Sequence, residues 1–297
     1  MLEDHTDRRD FTPTHAPPPW PGDARLAVSF VVNVEEGAEL SIADGDERNE
    51  PTYEIREEVP DGPDFCMETH FAYGPRRGYA RIADLFDRFG VAATFSTCAR
   101  AAERVPWLIR DAVARGHEIS AHGWRWERHA GMDPAHEAQI IARTHATLER
   151  IAGVAPVGWH TRSAPSGQTR ALLLQHGGFV YDSDAYDDDM PRLVPGHRHV
   201  IVPYAFDTND MRFSPGGGFI QPADFARYVT GAFDRLLAEG QDQARMLSVG
   251  LHLRLIGRPG RIGGLEALLT HMAARPGVWF ATRRQIAECW LARDAAS

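Results

Sequence analysis

From residue 76 onward the chain alternates short β-branched apolar runs with segments of helical period. Alternation on that scale calls for parallel strands joined by helices, an α/β fold. Strands are expected at 25–34 (RLAVSFVVNV), 91–97, 117–122, 155–160, 179–184, 199–206, 244–253 and 278–282. Helices are expected at 76–90, 101–116, 133–153, 222–239, near 168–176, near 260–274, and from Thr282. The local reasons are specific. Ile82, Leu85, Phe86 and Phe89 share one helical face, and Gly90 stops it. Asp133 caps the helix whose first position is Pro134, and that helix buries Ile140, Ile141, Leu148 and Ile151. Thr282 and Gln285 form a capping box. Seven or eight parallel strands favour a (β/α) barrel, closed or incomplete, over an open sheet. Residues 1–24 are polar and proline-rich and read as an N-terminal arm, leaving 25–297 as one domain. Residues 37–75 are acidic, lack helical period and read as a long loop.

Charge and cysteine content narrow the function classes. With 32 basic and 41 acidic residues the formal charge is -9, which counts against nucleic acid and anionic membrane as partners. The three cysteines, Cys66, Cys98 and Cys289, form no CxxC pair. That counts against a disulfide framework or a cysteine zinc site and fits a reducing cytoplasm. No apolar h-region opens the chain, so no signal peptide is expected. No apolar run approaches the ~20 residues of a membrane span.

In such barrels the chemistry sits at the C-terminal ends of the strands. Six expected strand ends carry polar groups. They are Asn33, Glu35, Glu36 and Gly37; His122; His160, Thr161 and Arg162; Asp182 and Asp184; Asp207, Asn209 and Asp210; and His252 with Arg254. Convergence of so many in one mouth marks a site. Glu35 and Glu36 are adjacent, so on a regular strand only one faces the mouth. A break at Gly37 would let both turn in. A carboxylate among apolar walls and other carboxylates has a raised pKa and suits a general base. His252 closes an apolar strand and reads as either a core histidine or, with Arg254 beside it, a general acid or base. His129, His136, His145 and His271 read as surface residues. Trp124 and Trp126, taken alone, read as packing.

These strand ends, in this order, resemble the polysaccharide deacetylase superfamily, whose members share a distorted (β/α) barrel and hydrolyse amide bonds. The family pattern opens with Thr-Phe-Asp-Asp-Gly, where this chain has NVEEG (33–37). Its His-x-x-x-His motif falls on His122 to Trp126, its Arg-Pro segment on HTRSAP, and its late Leu-x-Leu-His on VGLH with His252. The likeness runs from about Trp20 to Leu291. In ordinary members the second aspartate and two histidines hold a metal. Here Glu36 replaces the aspartate, and Trp126, which cannot ligate, replaces a histidine. Zinc in catalytic sites takes three protein ligands as a rule. The departures, with stretches such as EISAHGWRW, FDTNDMRF and LSVGLHLRLIGRPGR, resemble the cofactor-independent allantoinase analogues. Two segments differ from true allantoinases, DERNEPTYEIREEVPDGPDFCMETHFAYG and GWHTRSAPSGQTR. Both are expected to line the mouth and to select another cyclic ureide, imide or amide.

The resemblance implies ring-opening hydrolysis of a C–N bond with no cofactor. Glu35 is the base by position, with Glu36 its rival, and His252 is the acid. His122, Arg162 or Arg125 stabilises the oxyanion. Asp207, Asn209 and Asp210 hold ring N–H groups, Trp124 and Trp126 wall the ring, and His160 and Arg254 complete the substrate site. The expected partner is a small molecule. The expected assembly is a cytoplasmic homo-oligomer, tetrameric by resemblance. A second reading is a metal-dependent deacetylase of N-acyl sugars, with zinc or another divalent ion on Glu36, His122 and a further ligand. A third is a non-catalytic binding protein.

Overall fold

The first strand, β1 (Leu26–Val34), is buried at all nine positions. Only Ser29 and Asn33 interrupt its apolar run, as expected of a parallel strand covered on both faces. A computed structural model describes residues 11–12, 20–52, 55 and 57–294. Along the chain follow β2 (Thr94–Thr97), β3 (Glu118–Ala121), β4 (Gly158–Trp159), β5 (Tyr181–Asp182), β6 (Arg192–Leu193), β7 (Val200–Ile201), β8 (Arg245–His252) and β9 (Val278–Phe280). The sheet order is β6-β7-β5-β4-β3-β2-β1-β8. Both β9 and β2 lie on the remaining side of β1, β9 at Leu26–Val28 and β2 at Val31–Val34. Every pairing is parallel except β6 with β7, a short return strand that the sequence pattern does not announce. The result is the expected distorted (β/α) barrel.

The curl does not close with a full ladder. Between the β7 side and β8 the described residues offer one bridge, Asn209 to Gly250. Arg283 fills this seam from within, only 2% exposed. Its guanidinium donates to Ser183 Oγ (2.8 Å), Ser248 Oγ (3.0 Å) and the carbonyls of Val202 and Pro203 (2.5 Å each).

The expected helices appear as α2 (Tyr79–Phe89), α3 and α4 (Ala99–Arg104 and Pro106–Ala114), α5 (Pro134–Ala152), α6 (Thr169–His176), α7 (Pro222–Glu239), α8 (Ile262–Ala273) and α9 (Arg283–Asp294). They follow α1 (Phe65–Tyr73). Asp133 accepts from the N–H groups of Ala135 and His136, and Thr282 and Gln285 exchange the two bonds of their capping box.

Two expectations are corrected. The stretch 37–75 contains a helix, α1 (Phe65–Tyr73), capped by Asp64 and running through a π turn, Gly74–Gly78, into α2. Only Met67 and Phe71 of α1 are buried, too few to register as a period. Residues 20–24 are packed rather than part of an arm. Trp20 is 1% exposed, donates to the Arg245 carbonyl (2.7 Å) and packs on Trp279 and Trp290. Apart from 11–12, the rest of that segment lies outside the described residues. No helix among the described residues is long and apolar enough to cross a membrane.

Candidate active site

A cavity of about 380 Å³ opens where the C-terminal ends of the strands converge. Glu35, His122 and His252 face it from β1, β3 and β8, with Asn33, His160 and Asn209 beside them. Trp126, Arg162, Tyr204, Phe206 and Met211 line the walls. Pro51, Thr52 and Glu58 from one divergent segment and Ser163 from the other complete it.

Immediately after β1 the two glutamates part company. Glu35 turns into the cavity; its Oε1 lies 3.4 Å from His252 Nε2 and 3.5 Å from His122 Nε2. Its Oε2 accepts from Arg254 (3.0 Å). Burial alone would raise its pKa, as expected of a base among other carboxylates, but His252 and Arg254 together hold it well below the usual carboxylate value. Glu36 turns the other way and is not among the lining residues. Its carboxylate accepts the backbone N–H of Arg254 (3.1 Å) and of Glu35 (3.3 Å). It presses so closely on the π turn that a Cβ at Gly74 would sit 2.4 Å from its Oε1. Burial pushes Glu36 up to about 7 against the pull of Arg254. Gly37 takes φ of 96° and ends the extended run, yet it does not bring both carboxylates into the mouth. The alternation of the chain has already separated them.

His252 is fixed from behind by Asp210. Its Nδ1 lies 2.6 Å from Asp210 Oδ1, and Asp210 Oδ2 accepts the backbone N–H of His252 (2.8 Å) and of Ile256 (3.0 Å). Burial works against the charged ring, but Glu35 and Asp210 together raise His252 to about 10. It is therefore an imidazolium at neutral pH. His122 donates Nδ1–H to the His160 carbonyl (2.6 Å), because a carbonyl only accepts. In the neutral ring that leaves the Nε2 lone pair facing Glu35. The His160 ring stacks on His122, and burial first, then His122, keeps it uncharged.

Other expected residues serve the scaffold. Arg125 grips Asp46 and the Glu39 carbonyl and does not line the cavity. Trp124 packs under Arg143, whose guanidinium lies 3.4 Å from its ring centroid. Asp207 faces away, against Tyr228. Arg254 donates to Glu35 and does not line the cavity. Asp182 is held by Arg170 and His199 in the core. His129, expected at the surface, is 1% exposed and bonded to Glu137. Trp126 does wall the cavity, with Arg162 stacked 3.4 Å from its centroid and paired with Glu50 (2.6 Å). Tyr204, Phe206 and Met211 went unsignalled, because each looks apolar in its stretch.

Among the described residues no three His, Cys, Asp or Glu side chains are grouped to share a metal ion. Glu36 is turned away, Trp126 offers no donor, and Glu35 already neutralises Arg254.

Residues 61–177 match the family model for polysaccharide deacetylase. The chain is 36% identical to a putative polysaccharide deacetylase of Schizosaccharomyces pombe, over 97% of this chain and 98% of that one. The crystal structure of PuuE allantoinase is 41% identical with a TM-score of 0.89, covering 95% of each chain. A probable polysaccharide deacetylase from Pseudomonas aeruginosa PAO1 is also 41% identical with a TM-score of 0.89, covering 94% of this chain and 95% of that one. The chain belongs to the polysaccharide deacetylase family and is a hydrolase of carbon–nitrogen bonds other than peptide bonds.

Proposed function

We propose that the protein opens the ring of a small cyclic ureide, imide or amide by adding water across a ring C–N bond without a metal. The observation that carries this reading is the buried Glu35–His252 pair, 3.4 Å apart, on the wall of a cavity of about 380 Å³. A pocket of that volume lies near the small end for ligand sites and suits one ring.

The chemistry follows from the acceptors and the proton. Glu35 Oε1 and the His122 Nε2 lone pair each accept a hydrogen bond. A water between them therefore turns its oxygen lone pair toward the ring carbonyl carbon. As the C–O bond forms, Glu35 takes the water proton. As the ring C–N bond breaks, His252 Nε2 gives its proton to the departing nitrogen. Asp210 holds the imidazole in place throughout. The proton on Glu35 then returns to His252, restoring both starting charges, and the product is an open-chain carboxylic acid. Such acid–base assistance contributes roughly 10²–10⁴-fold.

The likeness to PuuE allantoinase supports ring opening. The Schizosaccharomyces pombe and Pseudomonas relatives are named as polysaccharide deacetylases, which favours a second reading, deacetylation of an N-acyl sugar, for which a divalent metal would be needed. The same proposal takes the protein as a cytoplasmic homo-oligomer, and sedimentation tests the tetramer. The deciding experiment follows allantoin, hydantoin, dihydrouracil, succinimide and an N-acetylated chito-oligomer by NMR, with and without a chelator. Ring opening that survives chelation is expected. Acetate release that the chelator stops would replace this reading with the second.

A further inference from the structure

One job in the proposed reaction has no residue yet. The ring carbonyl oxygen gains negative charge as water adds, and a donor must meet it. Of the cations expected for this, Arg162 already donates to Glu50 and to the Trp126 carbonyl, and Arg125 to Asp46. The Nδ1–H of His122 is spent on a carbonyl.

Tyr204 lines the same cavity as Glu35, His122 and His252 and is 5% exposed. Its hydroxyl oxygen lies 3.0 Å from Asn33 Nδ2 and 3.1 Å from Asn209 Nδ2. The backbone settles which way both amides point. The Asn33 atom that faces Tyr204 also faces the Leu251 carbonyl (3.1 Å), which can only accept, so it is the amide nitrogen. The other end of the Asn209 amide faces the Met211 N–H (2.8 Å), which can only donate, so the end at Tyr204 is nitrogen too. Tyr204 therefore accepts twice. Its own proton has neither amide as acceptor and is left for the cavity. Burial also raises the phenol's pKa, so the proton stays on oxygen. The fold makes room for this hydroxyl. A Cβ on Gly250 would sit 2.3 Å from the Tyr204 oxygen and 2.3 Å from Asn209 Nδ2.

We propose that Tyr204 is a catalytic residue whose hydroxyl donates a hydrogen bond to the substrate carbonyl oxygen as it becomes an oxyanion. Two N–H donors on the phenol oxygen polarise the O–H and strengthen it as a donor. No proton is transferred; the bond shortens as charge builds and relaxes when the C–N bond breaks. The inference rests on the ring-opening reading.

The test uses the full chain and whichever cyclic amide of the panel is turned over. Tyr204→Phe is expected to lower kcat by about 10²–10³-fold, the loss seen when one oxyanion donor is removed. KM should stay within about threefold, because the bond is made mainly in the transition state. A second variant carries 3-fluorotyrosine at position 204, which keeps the hydroxyl and nearly the same volume. It is expected to retain most of the wild-type kcat. If the wild type opens no ring, the ring-opening reading fails and takes this role with it. If the wild type and Tyr204→Phe open the ring at similar rates, the reading stands and the role of Tyr204 is overturned. If both variants lose activity equally and melt earlier, the hydroxyl only props the wall, which also overturns it.

Discussion

Oε1 of Glu35 lies 3.4 Å from Nε2 of His252, and both side chains are almost wholly buried. Each holds the other charged. His252 lowers the pKa of Glu35, and Glu35 raises that of His252. Glu35→Gln keeps the volume and removes both the proton acceptor and this charge. Turnover is expected to fall by at least about 10²-fold, with the circular dichroism spectrum unchanged. Appreciable activity in that variant would remove Glu35 from the role of base.

The acid should reveal itself in the pH dependence. With His252 raised to about 10, kcat/KM should hold well into the alkaline range and fall only as the imidazolium loses its proton. Asp210→Asn deletes one of the two carboxylates that raise it, so the alkaline limb should move to lower pH. An identical limb in both proteins would mean that another group supplies the proton.

Glu36 makes a prediction about stability rather than rate. Its folded pKa of about 7 lies above the ordinary 4.5. Between those values the folded chain holds a proton that the unfolded chain has released. The contribution is therefore fully present below 4.5 and is lost as pH rises through 7, on the order of 3 kcal/mol. Glu36→Gln cannot ionise. Relative to wild type its urea midpoint should be higher at pH 8 than at pH 5. The reverse order would show that Glu36 is ionised in the folded state.

Arg283 holds the unclosed seam through four acceptors. Arg283→Ala strands two hydroxyls and two carbonyls in the interior. A loss of roughly 3 kcal/mol or more in denaturant unfolding is expected.

Arg162 and Arg125 offer a contrast. Arg162 lines the cavity, whereas Arg125 ties down the loop at Asp46. Arg162→Ala should raise KM on the order of tenfold, and Arg125→Ala should leave KM near wild type. An unchanged KM for Arg162→Ala in steady-state kinetics would place Arg162 outside the binding site.

The barrel is legible in the sequence because its signals are local. The apolar run of β1, the Asp133 cap, the stop at Gly90 and the Thr282–Gln285 box each act within a few residues. The strand-end rule then delivers Glu35, His122 and His252 to one mouth. Where local signals are weak the sequence does not show the element. Helix α1 buries two residues, and Trp20 looks like part of a polar arm. The division of labour at the site is a different matter. Glu35 meets Arg254 across 219 positions of chain, Asn33 meets Tyr204 across 171, and His252 meets Asp210 across 42. No periodicity encodes those distances. The residues and their strand ends are set by sequence. Which glutamate faces the cavity, which cations are already paired, and where a tyrosine proton is left to point depend on contacts that exist only once the strands are side by side.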